Sequence, residues 1–266
     1  MSDLVLTEKR DTLYFVTLNR ADKRNALTLD MLRAVADAVQ SVDNHPEVRA
    51  VILHGNGPVF SAGIDVMGLA ALRAEAADQN PARWLRRMAE EMQHCLHRIE
   101  QTEVPVIAAL HGKVMGLGLE LALACDLRVG TEDVQLSLPE TRLGLIADVG
   151  GTTRLTKLIG PSRTKELLMT ARVVAASEAL AWGLLNRVSP ADGTLNAAMD
   201  LAHEIAQNAP LAVSLAKFVV DQGDGLDRYS QMALERLAQS LLIGTEDIGE
   251  AMGAFLERRP PEFKGR

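Results

Sequence analysis

The chain has 266 residues, 47% hydrophobic and 24% charged, enough for one large globular domain or a core with an appendage. A net charge of −7 without a long basic run excludes nucleic acid as the principal partner, and no apolar stretch is long enough to span a bilayer. Aromatics are only 3%, so Ala, Leu, Val and Ile must fill the core, which suits helices packed closely on a sheet.

Two strand-like runs open the chain, Leu4–Leu6 and Leu13–Leu18, parted by the turn-prone Arg10-Asp11. The charges of Glu8, Lys9 and Arg10 within this pattern are not those of a signal peptide. A helix is predicted over Leu29–Val42, with Thr28 as cap and Leu32, Val35, Ala36 and Val39 on one face. The short apolar strand Ala50–Leu53 leads into a Gly-rich stretch from Gly55 to Gly63. Asn80-Pro81 starts a long helix with Trp84, Met88, Cys95 and Ile99 at near-helical spacing. A strand at Val104–Leu110, a second Gly-rich loop, an apolar helix at Leu119–Ala124 and a strand at Val134–Leu138 follow. Beyond about residue 150 helices dominate. Ser177 is read as the cap of one, Asp192-Gly193 precedes another, and the last begins at Thr245 and is stopped by Pro260-Pro261. The alternation predicts an α/β core with a C-terminal helical region.

Cys95 and Cys125 sit in apolar contexts without metal-ligand spacing and read as reduced core thiols of a cytoplasmic protein. The histidines show no metal-site spacing, so no metal is expected. His94 and His97 read as surface residues and His111 as a structural hydrogen-bonding group. Ser61 lies in Phe-Ser-Ala-Gly rather than a nucleophile elbow, which argues against a serine hydrolase.

The chemistry concentrates in two loops and three acids. The first loop runs from Gly55 to Asp65 and the second from His111 to Glu120. Their glycines let a ligand approach backbone amides, and the second loop runs straight into a helix whose first N–H groups are unpaired, an arrangement suited to a developing oxyanion. Either loop alone could be an ordinary tight turn. A dinucleotide fingerprint fails, because Leu121 stands where its third glycine belongs. Glu120, Glu140 and Asp148 all lie in apolar company, which raises a carboxyl toward useful acid–base values. Glu120 and Asp148 could equally serve to complement helix N-termini. Together with the two loops, the acids favour a catalytic site.

Asn19-Arg20 with Asn25-Ala26-Leu27, Phe60 to Asp65, Val104 to Ala109, Gly116 to Asp126, Leu138-Pro139-Glu140 through Thr152, Ala181 to Leu185 and Ala254 to Arg259 occur in a specific order and spacing. In these the chain resembles the enoyl-CoA hydratase/isomerase (crotonase) family over nearly its whole length. The resemblance implies a spiral of strand-strand-helix units over residues 1–200 and a helical trimerisation region over 201–266, usually in a hexamer of two trimers. It implies an acyl-CoA thioester substrate with no cofactor beyond the coenzyme A that the substrate carries. The backbone N–H groups of Ala62 and Leu117 would form the oxyanion hole, Leu117 replacing the more usual glycine. Ala62, Ile64, Asp65 and Gly116 would line the thioester and coenzyme A site, and Lys264 would reach a neighbouring subunit's ligand; Lys23 and Arg24, in a loop before a helix, either pair with coenzyme A phosphates or form an ordinary solvated turn. Met67, Leu69 and Leu72 would line the acyl channel or pack in the core.

Glu120 and Glu140 match the glutamate pair with which hydratases add water to a 2-trans-enoyl-CoA. Glu120 would deprotonate the water and Glu140 would exchange a proton at the α-carbon. Asp148 stands where hydratases usually have glycine and resembles the acid that dienoyl-CoA isomerases pair with the match to Glu140. Those isomerases typically carry Asp at the position of Glu120, so hydration is the first expectation. Isomerisation of 3,5- to 2,4-dienoyl-CoA by Glu140 and Asp148 is the second, and a non-catalytic acyl-CoA-binding scaffold the third.

Overall fold

The computed structural model describes residues 4–266. Strands β1 (Val5–Arg10) and β2 (Leu13–Leu18) form an antiparallel hairpin in which Arg10 faces Leu13, so the turn is Asp11-Thr12, with Asp11 at φ 50°. Aspartate tolerates this left-handed conformation better than most residues. Every residue of β2 is buried: Tyr14, Val16 and Leu18 enter one apolar cluster, Leu13 and Phe15 a second on the opposite face. A strand covered on both faces reads as a continuous apolar run, and this one does.

Helix α1 (Leu29–Gln40) is capped by Thr28, whose hydroxyl accepts the Met31 N–H at 3.2 Å. It ends two residues short of the predicted Val42, because Ser41–Asn44 tighten into a 3-10 turn. Three strand-strand-helix units follow. The first has β3 (Ala50–Gly55), the single bridging residue Ser61, then α2 (Val66–Glu75) and α3 (Pro81–Glu100). The second has β4 (Val106–Leu110), β5 (Lys113–Met115) and α4 (Leu117–Leu123). The third has β6 (Leu127–Thr131), β7 (Gln135–Ser137), α5 (Gly151–Ile159) and α6 (Pro161–Thr170), after which come β8 (Val174–Ala175), α7 (Ala176–Trp182) and β9 (Arg187–Ser189).

The first strand of each unit joins a six-stranded sheet in the order β1-β2-β3-β4-β6-β9, parallel from β2 onward. The second strand builds a smaller sheet, in which Ser61 bridges Val114, β5 runs parallel to β7, and β7 pairs antiparallel with β8. This is the expected spiral.

Some local expectations are corrected. Helix α4 begins two residues before the predicted Leu119, because Gly116 at φ 51° turns the chain directly into it. Ser177 is no cap; it lies within α7, whose preceding residue is Ala175 and which has no side-chain cap bond. The boundary expected at residue 200 falls inside α8 (Thr194–Ala206), which presses Ala198, Leu201 and Ala202 onto Leu13, Phe15, Ile52 and Val129 of the large sheet.

Helices α9 (Pro210–Gly223), α10 (Arg228–Leu242) and α11 (Glu246–Glu257) complete the chain. Lys217 ties α9 to the core through Asp126 at 2.9 Å. Helix α11 is capped by Thr245 as expected and ends three residues before Pro260, where Arg258 takes φ 55°. The tail then doubles back. Buried Asp247 accepts the N–H groups of Lys264 and Gly265 at 2.7 and 2.9 Å, and Glu246 donates its N–H to the Arg266 carbonyl. Among the described residues no helix is long and apolar enough to cross a membrane.

Candidate active site

The two Gly-rich loops are pressed together by close approaches that only glycine allows. Gly63 has φ 97°, and a Cβ there would stand 2.8 Å from the Met115 carbonyl oxygen and 3.7 Å from the Leu117 nitrogen. The turn after Ser61 therefore lies against the start of α4. At Gly116, a Cβ would meet the Glu140 carboxylate oxygen Oε1 at 2.6 Å. The absence of a side chain at Gly116 is what lets Glu140 reach the N-terminus of α4.

Backbone donors around this junction are not all available. The Ala62 N–H, expected to face a thioester oxygen, instead donates to the Arg24 carbonyl at 2.9 Å. The Gly63 N–H is taken by the Ser61 hydroxyl at 3.1 Å, and the Asp65 N–H by the Leu27 carbonyl. The N–H groups of Ile64, between them, and of Leu117, the first residue of α4, find no acceptor among the described residues. These two are the free donors of the junction. Asp65, expected among the ligand-contacting residues, is turned inward: its carboxylate caps α2 at the Gly68 N–H, 3.0 Å, and pairs with Arg20 at 2.7 Å. Those bonds hold it below the usual carboxylate range. Lys23 and Arg24 are exposed beside this loop and enter no ion pair among the described residues. Met67 and Leu72 are exposed on α2, which has no buried residue, so core packing does not explain them. Lys264 is exposed on the docked tail.

Glu120 is buried, one turn into the all-buried helix α4. Its Oε1 accepts two N–H bonds, both 2.9 Å, from Val149 and from Gly151, the first residue of α5. Burial nonetheless pushes the carboxyl from 4.5 up to about 7, with Glu140 and then Asp148 adding to the rise against the lowering pull of the two amides. Glu140 stands at the start of a 3-10 turn after β7. Burial raises its carboxyl too, and its buried Oε2 has no hydrogen-bond partner among the described residues. Asp148 lies at the open edge of the cluster, raised by desolvation. No cation is among the groups that shift the three acids.

The family profile described as enoyl-CoA hydratase/isomerase matches residues 8–266. The chain belongs to that family. Among the members it resembles are the short-chain-enoyl-CoA hydratase of Clostridium acetobutylicum, 36% identical over 98% of both chains, and the crotonyl-CoA hydratase of Syntrophomonas wolfei, 36% identical over 97% of both. The crystal structure of an enoyl-CoA hydratase from Bacillus anthracis superposes with a TM-score of 0.91 at 34% identity, covering 99% of this chain and 100% of that one.

The structure brings together the two loops and the acids singled out from the sequence, and adds three backbone groups that the sequence did not reveal. A free amide has no side-chain signature, so the motif around Phe60 to Asp65 did not show that Ile64 rather than Ala62 presents its N–H. The positive φ of Gly63, which flips the following peptide, is the signal that locates it. The amides of Val149 and Gly151 were missed for the same reason. The reading of Glu120 as complementing a helix N-terminus describes a real contact, but the helix is α5 rather than its own.

His111 donates from Nε2 to the Gly57 carbonyl, 3.0 Å, as a structural group. Both cysteines are buried and unpaired, and His94 and His97 are exposed.

Proposed function

We propose that the chain hydrates 2-trans-enoyl-CoA thioesters. The observation that carries this reading is the pairing, across Gly116, of two acids drawn out of water, Glu120 held by two backbone amides and Glu140 with a buried oxygen that has no hydrogen-bond partner among the described residues. Such a pair supplies one carboxylate to take a proton and one carboxylic acid to give one. The thioester oxygen accepts the N–H groups of Ile64 and Leu117, the latter aided by the positive end of α4. Drawing charge onto that oxygen leaves the β-carbon electrophilic.

Glu120 removes a proton from water as its oxygen bonds to the β-carbon, and the alkene electron pair moves onto the thioester as an enolate. Glu140 then delivers its proton to the α-carbon, restoring the carbonyl. Atoms balance: one water is added, Glu120 ends protonated and Glu140 ionised, and exchange with solvent resets both. Lys23 and Arg24, cationic and in no ion pair among the described residues, hold coenzyme A phosphates. Met67 and Leu72 extend the apolar wall toward the acyl chain. The exposed apolar side chains of the C-terminal helices, including Val220, Leu237, Leu241, Phe255 and Leu256, fit burial against further copies of the chain in a trimer or hexamer. The matched hydratases favour water addition over isomerisation through Asp148.

Mass spectrometry of the protein with a short 2-trans-enoyl-CoA tests the reading. Catalytic formation of a product heavier by one water is expected. Glu140→Gln should abolish that product while coenzyme A binding stays nearly intact, and full turnover by this variant would refute the assignment.

A further inference from the structure

A salt bridge outside the reacting groups is wired to the loop that holds Glu120. Arg154, in the first turn of α5, meets Glu100, the last residue of α3, through Nε at 2.5 Å and Nη2 at 2.6 Å, a two-pronged pairing. Its remaining nitrogen, Nη1, donates to the Val149 carbonyl at 3.0 Å. Val149 in turn donates its N–H to Glu120. Between these groups lies Gly150 at φ 98°, where a Cβ would run into the Arg154 guanidinium. The guanidinium thus lies across the Gly150 backbone, and both sides of the turn are held: the carbonyl by Arg154, the amides by Glu120. Neither residue of the pair is fully exposed, at 17% for Arg154 and 32% for Glu100.

We infer that Arg154, anchored by Glu100, is a positioning residue for Glu120: it fixes the Val149–Gly151 turn so that two amides converge on the Glu120 carboxylate. An ordinary ion pair between two helices would use only the carboxylate of Glu100. The third bond, to the carbonyl of Val149, one of the two residues whose amides hold Glu120, gives the pair its reach into the site. The groups facing Glu120 are Glu140 and Asp148, and the turn is also held from α3 by Gln93, whose side-chain amide donates to the Asp148 carbonyl. On the outer side, Glu100 also lies 3.5 Å from the His97 ring. None of these can replace the guanidinium at the Val149 carbonyl.

The role rests on hydration as the reaction, so the test has one readout that needs no substrate. Arg154→Met keeps much of the bulk and removes all three bonds. Hydrogen exchange in this variant should lose protection at the Val149 and Gly151 amides while the interior of α5, at Leu155 and Ile159, stays protected. In hydration kinetics, kcat should fall about tenfold or more with KM changed less, since a small misplacement at the reacting centre is amplified in rate. The acidic limb of the kcat profile should move to higher pH, because the amides that favour the ionised Glu120 are less well placed. Arg154→Lys, which keeps charge but cannot make three bonds, should recover part of the rate.

Should Arg154→Met not fold, Glu100→Gln serves instead: it leaves the guanidinium unanchored and should move the same readouts in the same direction by less. Unchanged amide protection together with an unchanged kcat profile in a folded variant overturns the inference. A wild-type protein that hydrates no enoyl-CoA would sink the proposed reaction, while loss of protection at the two amides would still uphold the positioning of Glu120.

Discussion

Glu120 has two duties that pull against each other. As a brace it accepts two amides and joins α4 to α5; as a base it must be taken out of water, which raises its pKa to about 7. The unfolded chain releases this proton near 4.5 and the folded chain near 7. Between those values folding takes up a proton, so stability falls as pH rises, by about 3 kcal/mol once both limits are passed. Glutamine retains an acceptor oxygen and cannot ionise. Glu120→Gln should therefore gain thermal stability relative to wild type, with a gap that widens from pH 5 to pH 8 while hydration is lost. A melting difference that stays constant across this range would show that ionisation of Glu120 does not burden the fold.

At the scale of elements, short and exposed pieces were the least legible. Helix α3 was readable because Asn80 and Pro81 mark its start and its apolar residues recur at helical spacing, and Asn80 does accept the Arg83 N–H. Helix α2 went unread because none of its residues is buried, leaving no apolar face to detect. Strand β5 has three residues, too few to show a period of two, whereas the equally short β7 was read because Val134, Leu136 and Leu138 alternate through it. The junction of β5 and α4 was readable only as a Gly-rich loop, although its geometry decides where Glu140 sits. Gly116→Ala tests that junction. With φ 51° and ψ −125° the backbone is in a region open to glycine, so alanine should cost about 1–3 kcal/mol in a denaturant melt. Its Cβ would displace the Glu140 carboxylate, and kcat should drop about a hundredfold. A folded alanine variant with wild-type turnover would separate Glu140 from the reaction.

For the molecule as a whole, the spiral was legible through the order of short motifs rather than through any one of them. The strands of the large sheet were visible as apolar runs because both of their faces are buried, as in β2, but their parallel pairing was not read from the sequence. What was not legible is how the helical region begins. Helix α8 carries small residues, Ala198 and Ala202, that look unremarkable in a helix rich in alanine, yet they cover one face of the large sheet. The later helices are different, since they expose Phe255, Leu256 and Leu241 at more than half of their surface. Light scattering should give a trimer or a multiple of it, and a monomer at micromolar concentration would contradict the assembly. The docked tail bears on how this protein can be labelled. Because Arg266 returns to Glu246, a fluorophore placed at position 266 sits beside the first turn of α11. It would therefore report from one helix length, about 18 Å, short of where a chain running on from Glu257 would carry it.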